Sequence, residues 1–378
     1  MPTITTLKQL LDAEFSIKDL GPIKYYLGIE FHRSDKGIFM NQQKFITDLL
    51  ASASMTDCKP LSVPVAPHVK LFDNIDSGEL IDNPSQYRAW VGKLLYLTSS
   101  RPDISFSVQS LSQFLQAPRT AHMEAARRVL RYLKHTKTHG LFFPSQNTLE
   151  FKGYSDSDWA GDVIDRRSVG GYCFLLGSAT ISWRAKKQSL TSRSSAEAEY
   201  RALADASCEV MWLKQLLGEL TVPVNGPTTL FCDSKAAVDL TANPVYHART
   251  KHIELDAHFI REKIAHGIVS VIQITSRENV ADVLTKGLGK VPHWFCLSQM
   301  GLTFTITASA LSVDGGSKVL YKNKGKAVIT EIEEEENDQS MFDRRGANET
   351  IYSHHASTSQ PTKQKLLIPF SQTLPYQL

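Results

Sequence analysis

The sequence has no cysteine pair. Its five cysteines, Cys58, Cys173, Cys208, Cys232 and Cys296, are scattered and none sits in a CxxC. That excludes a disulfide framework and a zinc module built on paired thiols. The pattern reads as reduced, buried thiols of an intracellular chain, cytoplasmic or nuclear. No stretch reaches the roughly 18 apolar residues of a membrane span, so no membrane partner is expected. The opening "MPTITTLKQLLDAEFSIKDL" has no continuous apolar core, which argues against a secretory signal. No GxxxxGK[ST] loop occurs, and no bound organic cofactor is expected. Charge of one sign is also missing: 42 Lys and Arg stand against 39 Asp and Glu, a net +3. This permits a nucleic-acid partner without demanding one; local clustering has to decide.

The 378 residues suit two or three domains, and 42% hydrophobic content can fill their cores. Three zones follow from composition: 1–145, 146–290 and 291–378. In the first, "IKYYLGIEFHRSDKGIFMNQQKFITDLL" predicts a hairpin turning at "SDKG", then a helix. "CKPLSVPVAPHVKL" is proline-punctuated and extended. Three helical patterns follow, "SQYRAWVGKLLYLTSS", "RPDISFSVQSLSQFLQAP" and "AHMEAARRVLRYLKHTKTHG". The last carries Met123, Ala126, Leu130 and Leu133 on one stripe. Arg127, Arg128, Arg131, Lys134 and Lys137 crowd its remaining surface. Alone that is a solvated face; beside a nucleic-acid site it would track phosphates.

The second zone alternates strands and helices. "LEFKGYSDS", "SVGGYCFLLG" and "ATISWRAKK" read as three strands, and "SSAEAEYRALADASCEVMWLKQLLGEL" as a long helix. The strand "TTLFCDS", helices in "KAAVDLTANP" and "HIELDAHFIREKIAHG", the strand "IVSVIQIT" and a final helix in "ENVADVLTKGL" complete a mixed-sheet α/β layer. The third zone loses this rhythm and reads as a low-order tail, with "EIEEEEND" a solvated acidic run.

Carboxylates mark the second zone. Asp156, Asp158 and Asp162 crowd seven residues. Asp156 falls while strand alternation still holds, Asp158 at the strand's exit and Asp162 in a turn. On the long helix, Glu197 and Glu199 are about 200° apart, so one site cannot easily take both. Leu203, Ala206, Val210, Leu213 and Leu217 form the buried stripe, and four residues before Leu203 lies Glu199. Ser194 and Glu197 have capping-box spacing, which gives Glu197 a structural task as an exposed first-turn acid. A carboxylate on the core stripe is costly unless paired or bound to metal, which singles out Glu199. Asp233 ends a strand, where a helix N-cap is the plainer role. Asp282 lies in the final helical pattern.

"YSDSDWAGD", "SSAEAEYRAL", "LFCDSKAAV", "RTKHIELDAHFIREKI" and "ENVADVLTKGL" together resemble the ribonuclease H domain of Ty1/copia-type retrotransposon polyproteins. "LGPIKYYLGIEF", "YRAWVGKLLYLTSSRPDISFSVQSLSQF" and "HMEAARRVLRYLKHT" resemble the last palm strands, thumb and connection of the same polyprotein's reverse transcriptase. The resemblance spans about three-quarters of the chain. It implies an RNase H-like mixed five-stranded sheet preceded by a partial reverse-transcriptase region, and cleavage of RNA in RNA–DNA hybrids. It also implies two Mg²⁺ or Mn²⁺ ions held by Asp156, Glu199, Asp233 and Asp282, one activating water and one stabilising the leaving oxygen. Contacts to the hybrid are expected from Ser194, Ser195, Arg249 and Lys251, and from the basic helix at Arg127, Arg128, Arg131 and Lys134.

Two departures qualify this. No YxDD carboxylate pair occurs, and the chain begins after that point in the family pattern, so no polymerase activity is expected. No histidine precedes the last Asp in "IQITSRENVAD", which implies slower or differently assisted turnover. The competing reading is an inactive transposon remnant that at most binds nucleic acid. The rest of a Pol polyprotein is the other expected partner. Asp76-Ser77-Gly78 lacks the apolar strands of an aspartic protease, and His247, His252 and His258 lack zinc spacing.

Overall fold

Two β-rich runs on either side of a two-residue polar turn make the first hairpin. In the computed structural model, which describes residues 2–18, 21–242, 254–304, 322–323 and 326–327, β2 (Ile29–Ser34) pairs antiparallel with β3 (Gly37–Asn41) around Asp35-Lys36. Gly37 closes the turn at φ 148°, a conformation other residues avoid. Before it come α1 (Pro2–Phe15) and β1 (Tyr25–Tyr26), which pairs with β2.

Four helices follow: α2 (Gln43–Ser52), α3 (Pro84–Leu97), α4 (Ser105–Ser112) and α5 (Thr120–His135). They enclose one apolar core, to which α5 contributes the expected stripe of Met123, Ala126, Leu130 and Leu133. Beside it lies a buried polar knot. Arg101, wholly buried, is bidentate to Asp103 at 2.9 and 2.6 Å, and also donates to the Thr136 carbonyl. Asp103 further accepts from the Tyr132 hydroxyl. Its two opposite charges offset the cost of burying either one.

Then β4 (His139–Pro144), which the sequence reading did not foresee, joins β3.

The second sheet holds five strands in the order β7-β6-β5-β8-β9. These are β5 (Phe151–Asp158), β6 (Val169–Leu176), β7 (Ala179–Lys187), β8 (Thr228–Cys232) and β9 (Val269–Gln273). β5, β6 and β7 run antiparallel, while β5, β8 and β9 are parallel. Both faces of β6 are covered, as its continuous apolar run requires. Tyr172 and Phe174 face α6 (Ser195–Glu219) and α8 (Glu254–Ala265). Cys173 and Leu175 face the opposite layer. Each such buried apolar side chain contributes roughly 1.5–3 kcal/mol. Between β8 and α8 lies α7 (Lys235–Ala242).

That opposite layer corrects the expected boundary at 291. The pattern "ENVADVLTKGL" begins on the last residue of one 3-10 turn, Ser276–Glu278, and forms a second, Val280–Leu284, rather than an α-helix. The Asn279 side chain accepts from Ala281 N and sets the second turn's start. The ladder then closes i to i+3, from Asp282 N to Asn279 O and from Thr285 N to Asp282 O. The α-helix comes later, as α9 (Lys290–Gln299), followed by β10 (Leu302–Phe304), which pairs with β4. Cys296, Leu297 and Met300 pack with Val280, Val283 and Leu284. His293 reaches the polar knot, 3.0 Å from the Tyr132 hydroxyl. Regular structure thus continues past 291 to Phe304.

The chain divides into two units, Met1–Leu311 and Ser312–Leu378. In the second, the described part is β11 (Lys322–Asn323) paired antiparallel with β12 (Lys326–Ala327). The acidic run "EIEEEEND" lies outside the described residues. Among the described residues no helix is long and apolar enough to cross a membrane. The cysteines are all free, yet not all buried as expected. Cys173, Cys232 and Cys296 are buried, Cys58 is half-buried and Cys208 is exposed.

Candidate metal centre

Strand register brings the first two carboxylates together. β5 and β8 run parallel with Tyr154 opposite Phe231. Two residues further along both chains, Asp156 and Asp233 stand side by side at the sheet's C-terminal edge. Asp156 is buried at 1% exposure, and Asp233 is half-buried just past the strand. The helix-capping role open to Asp233 is taken by Ser234, whose Oγ accepts from Ala237 N.

Asp282 arrives from the second 3-10 turn. That turn lies directly on β6, where Gly171 pairs with Asp156. A Cβ on Gly171 would come within 2.8 Å of Leu284 Cβ and 2.9 Å of Thr285 Cγ2. The glycine is what admits the turn to the sheet. Carboxylate oxygens of Asp156, Asp233 and Asp282 lie within 4.8 Å of one another.

Glu199 comes from the other face. It lies on the buried stripe of α6 at 7% exposure, one turn before Leu203. Its Oε1 accepts from Ser157 N at 3.3 Å, and its Oε2 lies 3.8 Å from the Cys232 thiol. Glu199, Cys232 and Asp233 offer a second set of ligand atoms within 4.8 Å. Asp233 belongs to both sets.

Glu197 behaves differently. Ser194 caps α6 by accepting from Glu197 N at 3.2 Å, as the spacing implied. The reciprocal arm reaches Arg193 N at 2.9 Å. Glu197 is not exposed, however: it is buried at 5% and pairs with Arg201 at 2.9 Å. The arginine one turn later makes that burial affordable in a way the cap alone does not.

Crowding shifts the acids strongly. Burial, then the charges of Asp156 and Asp233, push Glu199 up to about 9. Burial, then Asp156, push Asp282 up to about 8. Burial also raises the half-buried Asp158. Asp162 is a turn residue: Oδ1 accepts from Ile164 N and Asp165 N, while Oδ2 pairs with Lys187 at 3.1 Å.

Four carboxylates on independent elements form an all-oxygen donor set suited to a hard cation such as Mg²⁺ or Mn²⁺. Cys232 is a poor ligand beside them, because burial raises its thiol well above the usual range. The donor set therefore fits the divalent ions that the family resemblance implies.

Three supporting residues escaped the sequence reading. Asn279 Nδ2 donates to Ser155 O at 3.0 Å and approaches Asp156 Oδ1 at 3.5 Å. Thr285 Oγ1 donates to Asp156 Oδ2. Lys286 Nζ sits 2.9 Å from Asp282 Oδ1 and 3.4 Å from Asp156 Oδ2. All three lie within four residues of Asp282; polar residues so close to a suspected ligand were the available signal.

The expected hybrid contacts are more dispersed. Ser194 and Ser195 are exposed at the start of α6. Arg249 and Lys251 lie outside the described residues. On α5, Arg131 Nε donates to Lys59 O at 2.7 Å and Lys134 Nζ to Cys58 O at 2.6 Å. These two side chains fasten the proline-punctuated segment. Arg127 pairs with Glu124, and Arg128 is half-buried.

The family model described as reverse transcriptase (RNA-dependent DNA polymerase) matches residues 1–67. The Retrovirus-related Pol polyprotein from transposon RE1 of Arabidopsis thaliana is 43% identical over 293 residues, 78% of this chain and 20% of its own. Its counterpart from transposon RE2, also of Arabidopsis thaliana, is 44% identical over 75% of this chain and 20% of its own. The chain thus spans about a fifth of the length of these relatives. Among solved structures, LC11-RNase H1 in complex with an RNA/DNA hybrid is similar over 36% of this chain and 93% of its own, at 17% identity and a TM-score of 0.27. On the sequence similarities, this chain belongs to the Pol polyproteins of Ty1/copia-type retrotransposons.

Proposed function

We propose that 146–290, supported by α9 and β10, is an RNase H-like region that cleaves RNA in RNA–DNA hybrids. The observation that carries this reading is the meeting of Asp156, Asp233 and Asp282, with Glu199 reaching Asp233, at one sheet edge. Asp156, Glu199, Asp233 and Asp282 would hold two divalent ions, Mg²⁺ or Mn²⁺. Such ions, when bound, supply an activated water and a counter-charge for the leaving oxygen. The chain's own part is to fix the ligands. Asn279 and Thr285 orient Asp156, Ser157 N orients Glu199, and the apolar layers on both sheet faces keep the ligand-bearing strands rigid.

The exposed start of α6 at Ser194 and Ser195 is available to a phosphate. Arg249 and Lys251 are proposed as further contacts on sequence grounds. Of the α5 residues, Arg127 and Arg128 remain proposed contacts, whereas Arg131 and Lys134 are occupied with backbone carbonyls. The reading is tested with labelled RNA, presented as a DNA hybrid, as duplex RNA and as a single strand, with Mg²⁺ or with chelator. Cleavage of the hybrid alone, and with Mg²⁺ alone, is expected. Equal cleavage of all three substrates, or none of the hybrid, would refute it.

A further inference from the structure

One cation already sits among the four acids. Lys286 follows Asp282 by one turn, and its backbone N–H donates to Asp282 O at 3.2 Å. Its ammonium lies between Asp282 Oδ1 at 2.9 Å and Asp156 Oδ2 at 3.4 Å. Those two carboxylates belong to the set whose oxygens, with Asp233, converge within 4.8 Å. The lysine is thus placed where a divalent ion would take its ligands. Lys286 also lines a small cavity with Pro64, Val65, Phe106 and Leu288. Its side chain is 35% exposed, so it has a route to solvent.

We propose that Lys286 is the internal counter-cation of this site, and that its ammonium competes with divalent metal for Asp156 and Asp282. This rests on the four-carboxylate reading and extends it. An ammonium and a dication cannot both occupy the oxygens of two carboxylates at contact distance, because like charges repel steeply at such separations. Metal entry therefore requires the lysine to swing outward, and metal affinity reflects that displacement. Without metal, the same lysine offsets the repulsion among the acids. Lys286 is a positioning residue here: it acts through Asp156 and Asp282.

Mn²⁺ binding to the full chain, followed by calorimetry and by thermal shift, tests this without any activity readout. Lys286→Met keeps the stem and removes the charge; after correction for the protons released on binding, it is expected to bind Mn²⁺ about tenfold more tightly than wild type. Lys286→Arg keeps the charge and is expected to stay within about threefold of wild type. Should the methionine variant not fold, Lys286→Gln gives the same comparison. Unchanged or weaker binding in the uncharged variant overturns the proposal, as does equal tightening in Lys286→Arg. Asp156→Asn separates the two readings. If it abolishes Mn²⁺ binding while Lys286→Met leaves binding unchanged, the carboxylate site stands and the lysine proposal fails. If wild type shows no saturable Mn²⁺ binding, both fail.

Discussion

Loading the site with metal should release protons, and more of them at neutral than at alkaline pH. Glu199 titrates near 9 and Asp282 near 8, because each is buried against other carboxylates. Both acids therefore hold protons to higher pH than free carboxyls do, and a dication requires them as carboxylates. The number of protons released is therefore expected to be above zero at pH 7 and to fall as pH rises through 8 to 9. Calorimetric titration of Mg²⁺ or Mn²⁺ in buffers of different ionisation heat gives this number from the slope of apparent enthalpy. The metal-free chain should show the matching stability trend. Both pKa values are raised on folding, so their contribution is complete below about pH 4 and is lost as pH rises through 8 to 9. At about 1.4 kcal/mol per unit, the lift of Glu199 from 4.5 to about 9 sets a ceiling near ~6 kcal/mol. The realised loss is smaller, since Glu199 and Asp282 are both raised by the same Asp156. Metal should flatten the trend. No proton release at pH 7, or a metal-free stability that rises from pH 6 to 9, would refute this electrostatic description.

Two further outcomes follow from the packing. Glu199→Gln should lower hybrid cleavage at least ~100-fold, whereas Glu197→Gln should keep cleavage and lower stability by about 1–3 kcal/mol, because it removes the buried ion pair with Arg201; essential Glu197 would contradict the assignment. Asp103→Ala should cost about 3–5 kcal/mol in urea unfolding, since it strands a fully buried Arg101; a loss under ~1 kcal/mol would show that the knot is not what anchors α5 to α9.

Much of the site was legible because its geometry follows simple periods. Two-residue alternation put Asp156 on the end of β5, and four-residue steps back from Leu203 found Glu199 on the core stripe of α6. The pattern "ATISWRAKK" predicts β7 from Ala179 to Lys187, where it stands. What escaped depends on contacts between distant segments. "ENVADVLTKGL" has helical spacing, yet Asn279 and the close seat on Gly171 make it a 3-10 turn. The run from Lys290 to Phe304 has weak periodicity of its own and is ordered by packing on that turn, by the polar knot and by pairing with β4. Arg131 and Lys134 looked like free positive charge because no local pattern shows carbonyls 72 and 76 residues away. The burial of Glu197 was hidden in the same way, behind a cap signal that was itself correct.

The central claim is that Asp156, delivered by the first strand of the second sheet, is a metal ligand for hybrid cleavage. Its most direct measurement compares wild type with Asp156→Asn on a labelled RNA–DNA hybrid in Mg²⁺, with circular dichroism showing that both are folded. Cleavage by wild type and a loss of at least ~100-fold in the variant is the expected result. A folded wild type that leaves the hybrid intact, or a variant that cleaves as fast as wild type, would contradict it.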